Sequence, residues 1–241
     1  MTASPERRRI YLMRHGSVSY FDAAGKPHLP ESVPLNAQGQ AQADAAGRAF
    51  AAEQLVFDRV IVSGLPRTVE TARRVLAVTG QAIEAEVWPE LQEIRGGRLS
   101  TIPDHQLHEA FCGVFEGMVP EQRRFLGGES VGELMDRVHP AMGRLLADPA
   151  WDTVLMVLHG GVNRAILSYA LTGGQRIFLG NLAQAAGCIN ALDVGQHAHD
   201  WIVRCSNYAP PEPLHTATRG TTMEQLLAEY QKSRLPSPTE K

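Results

Sequence analysis

The chain has 241 residues, 44% of them apolar and 20% charged, which suits one large globular domain, with or without an insertion, better than two independent ones. Its 23 Lys plus Arg stand against 26 Asp plus Glu, so the bulk numbers give no basic surface for nucleic acid. Cys112, Cys188 and Cys205 are an odd number at wide spacings, which excludes a disulfide framework or a Cys-x-x-Cys motif. The first residues lack the apolar stretch of a signal peptide, and no window approaches the roughly 20 apolar residues of a membrane helix. The expectation is a reduced cytoplasmic compartment and no nucleic-acid or membrane partner, with a homodimer as the oligomeric option.

In chain order, Arg7-Arg8-Arg9 reads as a solvated flank. Ile10 to Met13 is a short apolar run that ends in Arg14-His15-Gly16. An alanine-rich helix is expected over 36–50, with Asn36 as its N-cap. Val60-Ile61-Val62 runs into Ser63-Gly64 and a helix over 66–78, and Val154 to Leu158 runs into His159-Gly160-Gly161 and a helix over 162–171. Continuous rather than alternating apolar residues mark strands buried on both faces. The clearest helix spans 130–146, where Ser130 and Glu133 make a capping box and Pro140 predicts a kink. Further strands are expected over 188–194 and 201–205. Residues 100–128 lack a clean period and read as an inserted lid. Residues 209–241 hold five of the fifteen prolines and one helical pattern, over 221–231, and read as a tail that docks on the body or on a partner. Strands alternating with helices predict a three-layer α/β/α fold with a mainly parallel central sheet over residues 1–208.

In such sheets the ligand site lies beyond the carboxyl ends of the strands. Those ends present Arg14 and His15, then Ser63 and Arg67, then His159. Arginine forks suit a tetrahedral dianion such as phosphate. A neutral imidazole can attack phosphorus, and a second, protonated one can stabilise the oxygens in transit. His105 with His108, and His197 with His199, have chelating spacings but no third ligand in register, so no metal is assigned. Gly127-Gly128 and Gly173-Gly174 read as turns.

These motifs resemble the histidine phosphatase superfamily, also called phosphoglycerate mutase-like. Arg14-His15-Gly16 resembles its hallmark, and residues 34–43 its following helix start. Ser63-x-Leu65-x-Arg67 with Thr71-Ala72 resembles its second motif, Leu91-x-Glu93-Ile94 with Gly97 the segment bearing its acid, Gly128-Glu129-Ser130 its next helix start, and His159-Gly160-Gly161 its last motif. The resemblance runs in family order from about Ile10 to Trp201. It implies that His15 is the nucleophile, that Arg14, Arg67 and His159 line the phosphate pocket, and that Glu93 protonates the leaving oxygen and later helps deprotonate water. It implies no metal and no organic cofactor. Ser17, Val18 and Phe21 stand where the family often has Glu-Thr and then Asn, and Ser17 is a candidate phosphate contact, as is Ser63. Arg98-Leu99-Ser100 departs from the usual acidic and Trp-like continuation.

The expected activity is that of a metal-independent phosphatase acting on a small phosphorylated metabolite. A phosphoglycerate mutase and a non-catalytic phospho-ligand binder are the alternatives. The substrate is expected to be chosen by residues 100–128, with Arg123, Arg124, His105, His108 and Phe111.

Overall fold

The computed structural model describes residues 7–22, 28–197, 199–217 and 219–234. Its central sheet has the strand order β3-β2-β5-β1-β7-β8. The strands are β1 (Arg8–Arg14), β2 (Arg59–Val62), β3 (Glu86–Val87), β5 (Thr153–Leu158), β7 (Ile189–Val194) and β8 (Trp201–Tyr208). β1, β5, β2 and β3 run parallel, and β7 and β8 complete the edge antiparallel. β4 (Met118–Val119) and β6 (Phe178–Leu179) form a separate two-stranded ladder.

Alternation along the strands builds the three layers. Tyr11, Met13, Val60, Val62, Leu155 and Val157 face one side, where they pack with residues of α1 (Ala37–Ala52) and α2 (Pro66–Thr79). Ile10, Leu12, Ile61, Val154, Met156 and Leu158 face the other, against α4 (Val131–Ala147) and α5 (Gly160–Leu171). Burial on both faces is why these strands read as unbroken apolar runs.

The helix starts follow local chemistry. The Asn36 side chain accepts from the Gly39 amide, and Ser130 and Glu133 form the reciprocal capping box. Pro140 lies within α4, which continues to Ala147. The basic run at the start of the chain differs from expectation. Arg9 forms a two-bonded pair with Asp193 on β7 (2.6 and 3.0 Å), Arg8 stacks over Trp151 at 4.1 Å, and Arg7 bonds to Asp200 at 2.8 Å. A solvated flank was the wrong reading because β1 starts at Arg8 and carboxylates of the neighbouring elements stand opposite.

The segment 100–128 carries α3 (Leu107–Cys112), and Phe111 and Val114 within it are fully buried. After β8 the chain folds back as α6 (Thr222–Ser233), capped by Thr221 with Glu224. Leu227 of α6 is buried, and the Tyr230 ring lies 5.7 Å from that of Phe111. Residues 218 and 235–241 of the expected tail lie outside the described residues. Among the described residues no helix is long and apolar enough to cross a membrane.

Candidate active site

Parallel pairing of β1 and β5 places their ends side by side, with Arg14 opposite Leu158. The His15 amide donates to the Leu158 carbonyl at 3.0 Å, so the residues that follow each strand, His15 and His159, become neighbours. Their ring centroids are 5.1 Å apart in an edge-on arrangement. Beyond His15 the chain turns tightly over the start of α1. A Cβ on Gly16 would lie 2.3 Å from the Gly39 carbonyl oxygen, which no side chain can accommodate.

Hydrogen bonding sets the state of each imidazole. His15 Nδ1 lies 2.7 Å from the Gly16 carbonyl, which can only accept. The proton is therefore on Nδ1, and Nε2 keeps its lone pair. His159 Nε2 lies 2.8 Å from Ser63 Oγ, which is 3.1 Å from Thr68 Oγ1. Thr68 donates to the Leu65 carbonyl, so Ser63 must donate to Thr68 and accept from His159 Nε2–H. That leaves His159 Nδ1 bare.

Both imidazoles are held well below their ordinary pKa. For His15 the causes are burial first, then the charges of Arg67 and Arg14. For His159 they are burial, then His15, Arg67 and Arg14. The neutral state expected of the nucleophile follows directly. The protonated state expected of His159 does not hold in the free site, and only a bound anion works against the surrounding arginines.

Arg14 and Arg67 are buried with their forks partly engaged. Arg14 Nη1 donates to the Gln184 carbonyl (2.5 Å) and to Thr222 Oγ1 (2.9 Å), and Arg67 Nη1 donates to the Pro30 carbonyl (2.6 Å). Arg14 Nε, Arg67 Nε and His159 Nδ1 are buried without a hydrogen-bond partner among the described residues. The two buried guanidinium groups among them are costly unless an anion completes them.

Glu93 comes from the segment after β3. Both of its carboxylate oxygens accept from the Gly161 amide at the start of α5 (3.0 and 3.1 Å), and Oε1 also accepts from Ile94 N. A Cβ on Gly161 would meet Oε1 at 2.6 Å, so glycine there makes room for the carboxylate. Two further residues escaped the sequence reading. Arg137 pairs with Glu129 (2.7 Å) and donates to the carbonyls of Glu90, Gln92 and Glu93, fixing the approach to Glu93. Arg164 lies buried on α5. With Asn163 it is a buried polar pair in the first half of a largely apolar helix, one turn past His159, and that is a signal available in the sequence.

His15 and Glu93 open onto a cavity of about 1690 Å³ that Arg14, Ser17 and Arg164 also line. Arg67, Ser63 and His159 are buried and do not line that cavity. The expected substrate-choosing residues of 100–128 are mostly elsewhere: of this segment only Phe115 reaches the cavity. Arg123 and Arg124 pair with Glu109 and Glu133, and Phe111 is core. The loop over 16–22 and the segment over 207–233 supply most of the wall instead. Among the described residues, no group of three or more His, Cys, Asp or Glu is placed to hold a metal.

Known proteins share this fold. The family model of the histidine phosphatase superfamily, branch 1, matches residues 10–207. A probable phosphoglycerate mutase, GpmB, of Salmonella paratyphi A is 33% identical over 154 residues, which span 63% of this chain and 69% of that protein. Mycobacterial glucosyl-3-phosphoglycerate phosphatase, solved with VO3, superposes with a TM-score of 0.64 at 22% identity, over 83% of this chain and 99% of that one. The α-ribazole phosphatase of Shigella flexneri gives 0.60 at 22% identity, over 83% and 96%. At these identities the two structures speak to the fold alone, while the family model and the mutase relative speak to descent. The chain belongs to the histidine phosphatase superfamily, branch 1.

Proposed function

We propose that this protein is a phosphomonoester hydrolase that works through a phosphohistidine at His15 on a small phosphorylated metabolite. One observation carries the reading: His15 presents an unprotonated Nε2 in the field of Arg67 and Arg14, whose Nε atoms are both buried and unpartnered among the described residues. In the first step Nε2 attacks phosphorus while the ester P–O bond breaks, and Glu93 gives its proton to the departing oxygen. Arg14 and Arg67 neutralise the equatorial oxygens. In the second step water attacks the phosphohistidine, Glu93 takes the proton from that water, and the P–N electrons return to Nε2. No step calls for a metal. Hydrolase names on two structural neighbours, the α-ribazole and glucosyl-3-phosphoglycerate phosphatases, fit the reading.

A mutase is the second reading, favoured by the name of the relative at 33% identity. It would return the phosphoryl group to another hydroxyl rather than to water. The cavity of about 1690 Å³ beside His15 leaves room for water, which supports the hydrolase reading. Release of inorganic phosphate from a panel of phosphorylated metabolites and one aryl phosphate decides the matter. Stoichiometric release supports hydrolysis, and isomerised ester without release supports the mutase. Tight phosphate binding without turnover would make the protein a phospho-ligand binder.

A further inference from the structure

Arg14 Nη1 donates to two acceptors, and they differ in how firmly they are themselves held. Thr222 lies on α6, where only Leu227 is buried. Gln184 is 4% exposed, and its carbonyl belongs to the turn 184–188 that leads into β7. That turn grips the start of the site three times. The Gln184 carbonyl accepts from Arg14 Nη1 at 2.5 Å, the Cys188 carbonyl accepts from the Arg14 amide at 3.0 Å, and the Gly187 amide donates to the His15 carbonyl at 3.1 Å. A guanidinium is planar, so an acceptor that fixes Nη1 also sets where Nε points.

The turn is fixed in its turn by a pair of buried side-chain amides. Asn190, on β7 and fully buried, donates from Nδ2 to Gln184 Oε1 and accepts at Oδ1 from Gln184 Nε2, both at 2.9 Å. The strands dictate the orientation of this pair. Asn190 Nδ2 also meets the Leu12 carbonyl of β1 (2.8 Å), which can only accept, and Oδ1 meets the Asn207 amide of β8 (2.8 Å), which can only donate. From α5, the fully buried Asn163 donates its Nδ2 to the same Gln184 Oε1 at 3.0 Å. Buried amide networks of this kind hold the groups attached to them in one arrangement. Asn190 and Asn163 do not line the cavity, so any effect they have on a ligand there passes through other residues.

Resting on the reading of Arg14 as a phosphate contact, we propose that Asn190 and the Gln184 side chain are positioning residues that act through Arg14. They hold the 184–188 turn so that its carbonyl aims the arginine fork at the phosphoryl group on His15. A merely structural Asn190, serving the register shift between β7 and β8 around Ala191, would weaken the fold whatever residue stood at position 14. A positioning residue loses its effect once Arg14 is gone.

The test is a double-mutant cycle of Asn190→Ala and Arg14→Gln in the full chain, read as affinity for inorganic phosphate by phosphorus NMR titration of the folded protein. With Arg14 in place, Asn190→Ala should weaken phosphate binding on the order of tenfold. It should lower kcat/KM by a similar factor on alkyl and aryl esters alike, since both carry the same phosphoryl group. In the Arg14→Gln background the same substitution should change the affinity by less than about twofold. If Asn190→Ala does not fold, Gln184→Met takes its place in the cycle, because it removes the amide and keeps the carbonyl that Arg14 uses. An unchanged phosphate affinity in the variant, or an equal loss in both backgrounds, would overturn the inference. Phosphate binding with the expected coupling, but no release from any ester, would overturn the hydrolase reading and leave the positioning role standing. A wild type that binds no phosphate would overturn both.

Discussion

His15, Ser63, Arg67 and His159 are at most 2% exposed, and each follows directly from the end of a sheet strand or sits in the first turn of the next helix. Arg219, Thr221, Glu229 and Lys232 border the same cavity, yet they belong to the segment after the last strand and are exposed. The first group is fixed by the register of β1, β2 and β5 and by a buried chain of hydrogen bonds from His159 through Ser63 to Thr68. The second group is held by one capping box, by Leu227 and Tyr230, and by the bond from Arg14 to Thr222. The sheet makes the floor one fixed set of groups, on which the proposed phosphoryl chemistry rests. The wall answers to few constraints and can differ without disturbing the floor.

Substitutions on the floor and at Glu93, which opens onto the cavity with His15, should cost most. Glu93→Gln removes the proton for the leaving oxygen, so phosphorylation from an alkyl phosphate should slow by about 100-fold or more, and from an aryl phosphate far less. With the aryl ester, single-turnover kinetics should show a burst of phenol followed by slow turnover. Equal losses on both esters would make Glu93 a structural residue holding the start of α5. Arg67→Lys keeps the charge but loses the planar fork. It should cost on the order of 2 kcal/mol in transition-state stabilisation, and an unchanged kcat/KM would place Arg67 outside the chemistry.

Burial of the floor also has a signature in stability. His15 and His159 are depressed by burial and by the neighbouring positive charges, so the folded site refuses protons that the unfolded chain accepts near pH 6.5. Their contribution is complete above about pH 6.5 and is lost as the pH falls below it, at about 1.4 kcal/mol per pH unit for each histidine. Urea unfolding between pH 7 and 5.5 should show this slope, reduced in His15→Gln. The same slope in both proteins would mean that His15 takes up its proton without penalty. The smallest effect belongs to the wall. Thr222→Val removes the acceptor for Arg14 from α6 and should cost about 1 kcal/mol in kcat/KM, with stability little changed. A loss as large as that of Arg67→Lys would show that α6 belongs to the floor.

The same contrast separates what could be read from the sequence from what could not. Strands buried on both faces leave continuous apolar runs, so β1, β2 and β5 were legible, and with them Arg14, His15, Ser63 and His159 at their ends. Asn36 and Ser130 announced their helices through side chains that cap them. β3, β4 and β6 have two residues each, too few for any period. Arg137 acts through carbonyls of a segment more than forty residues away, and no local pattern encodes that. The wall was misassigned to residues 100–128 because Arg123 and Arg124 look available in sequence, while in the fold each has its own carboxylate.

The central claim is that His15 Nε2 carries the phosphoryl group. Rapid quench of the wild-type enzyme with radiolabelled substrate, followed by acid and base treatment and mass spectrometry, tests it directly. The account predicts up to one phosphoryl group per active site, stable to base, labile to acid, located on His15 and formed fast enough to lie on the path, with neither label nor turnover in His15→Ala. Phosphate release at near wild-type rate from His15→Ala, or steady turnover with label on no histidine, would contradict it.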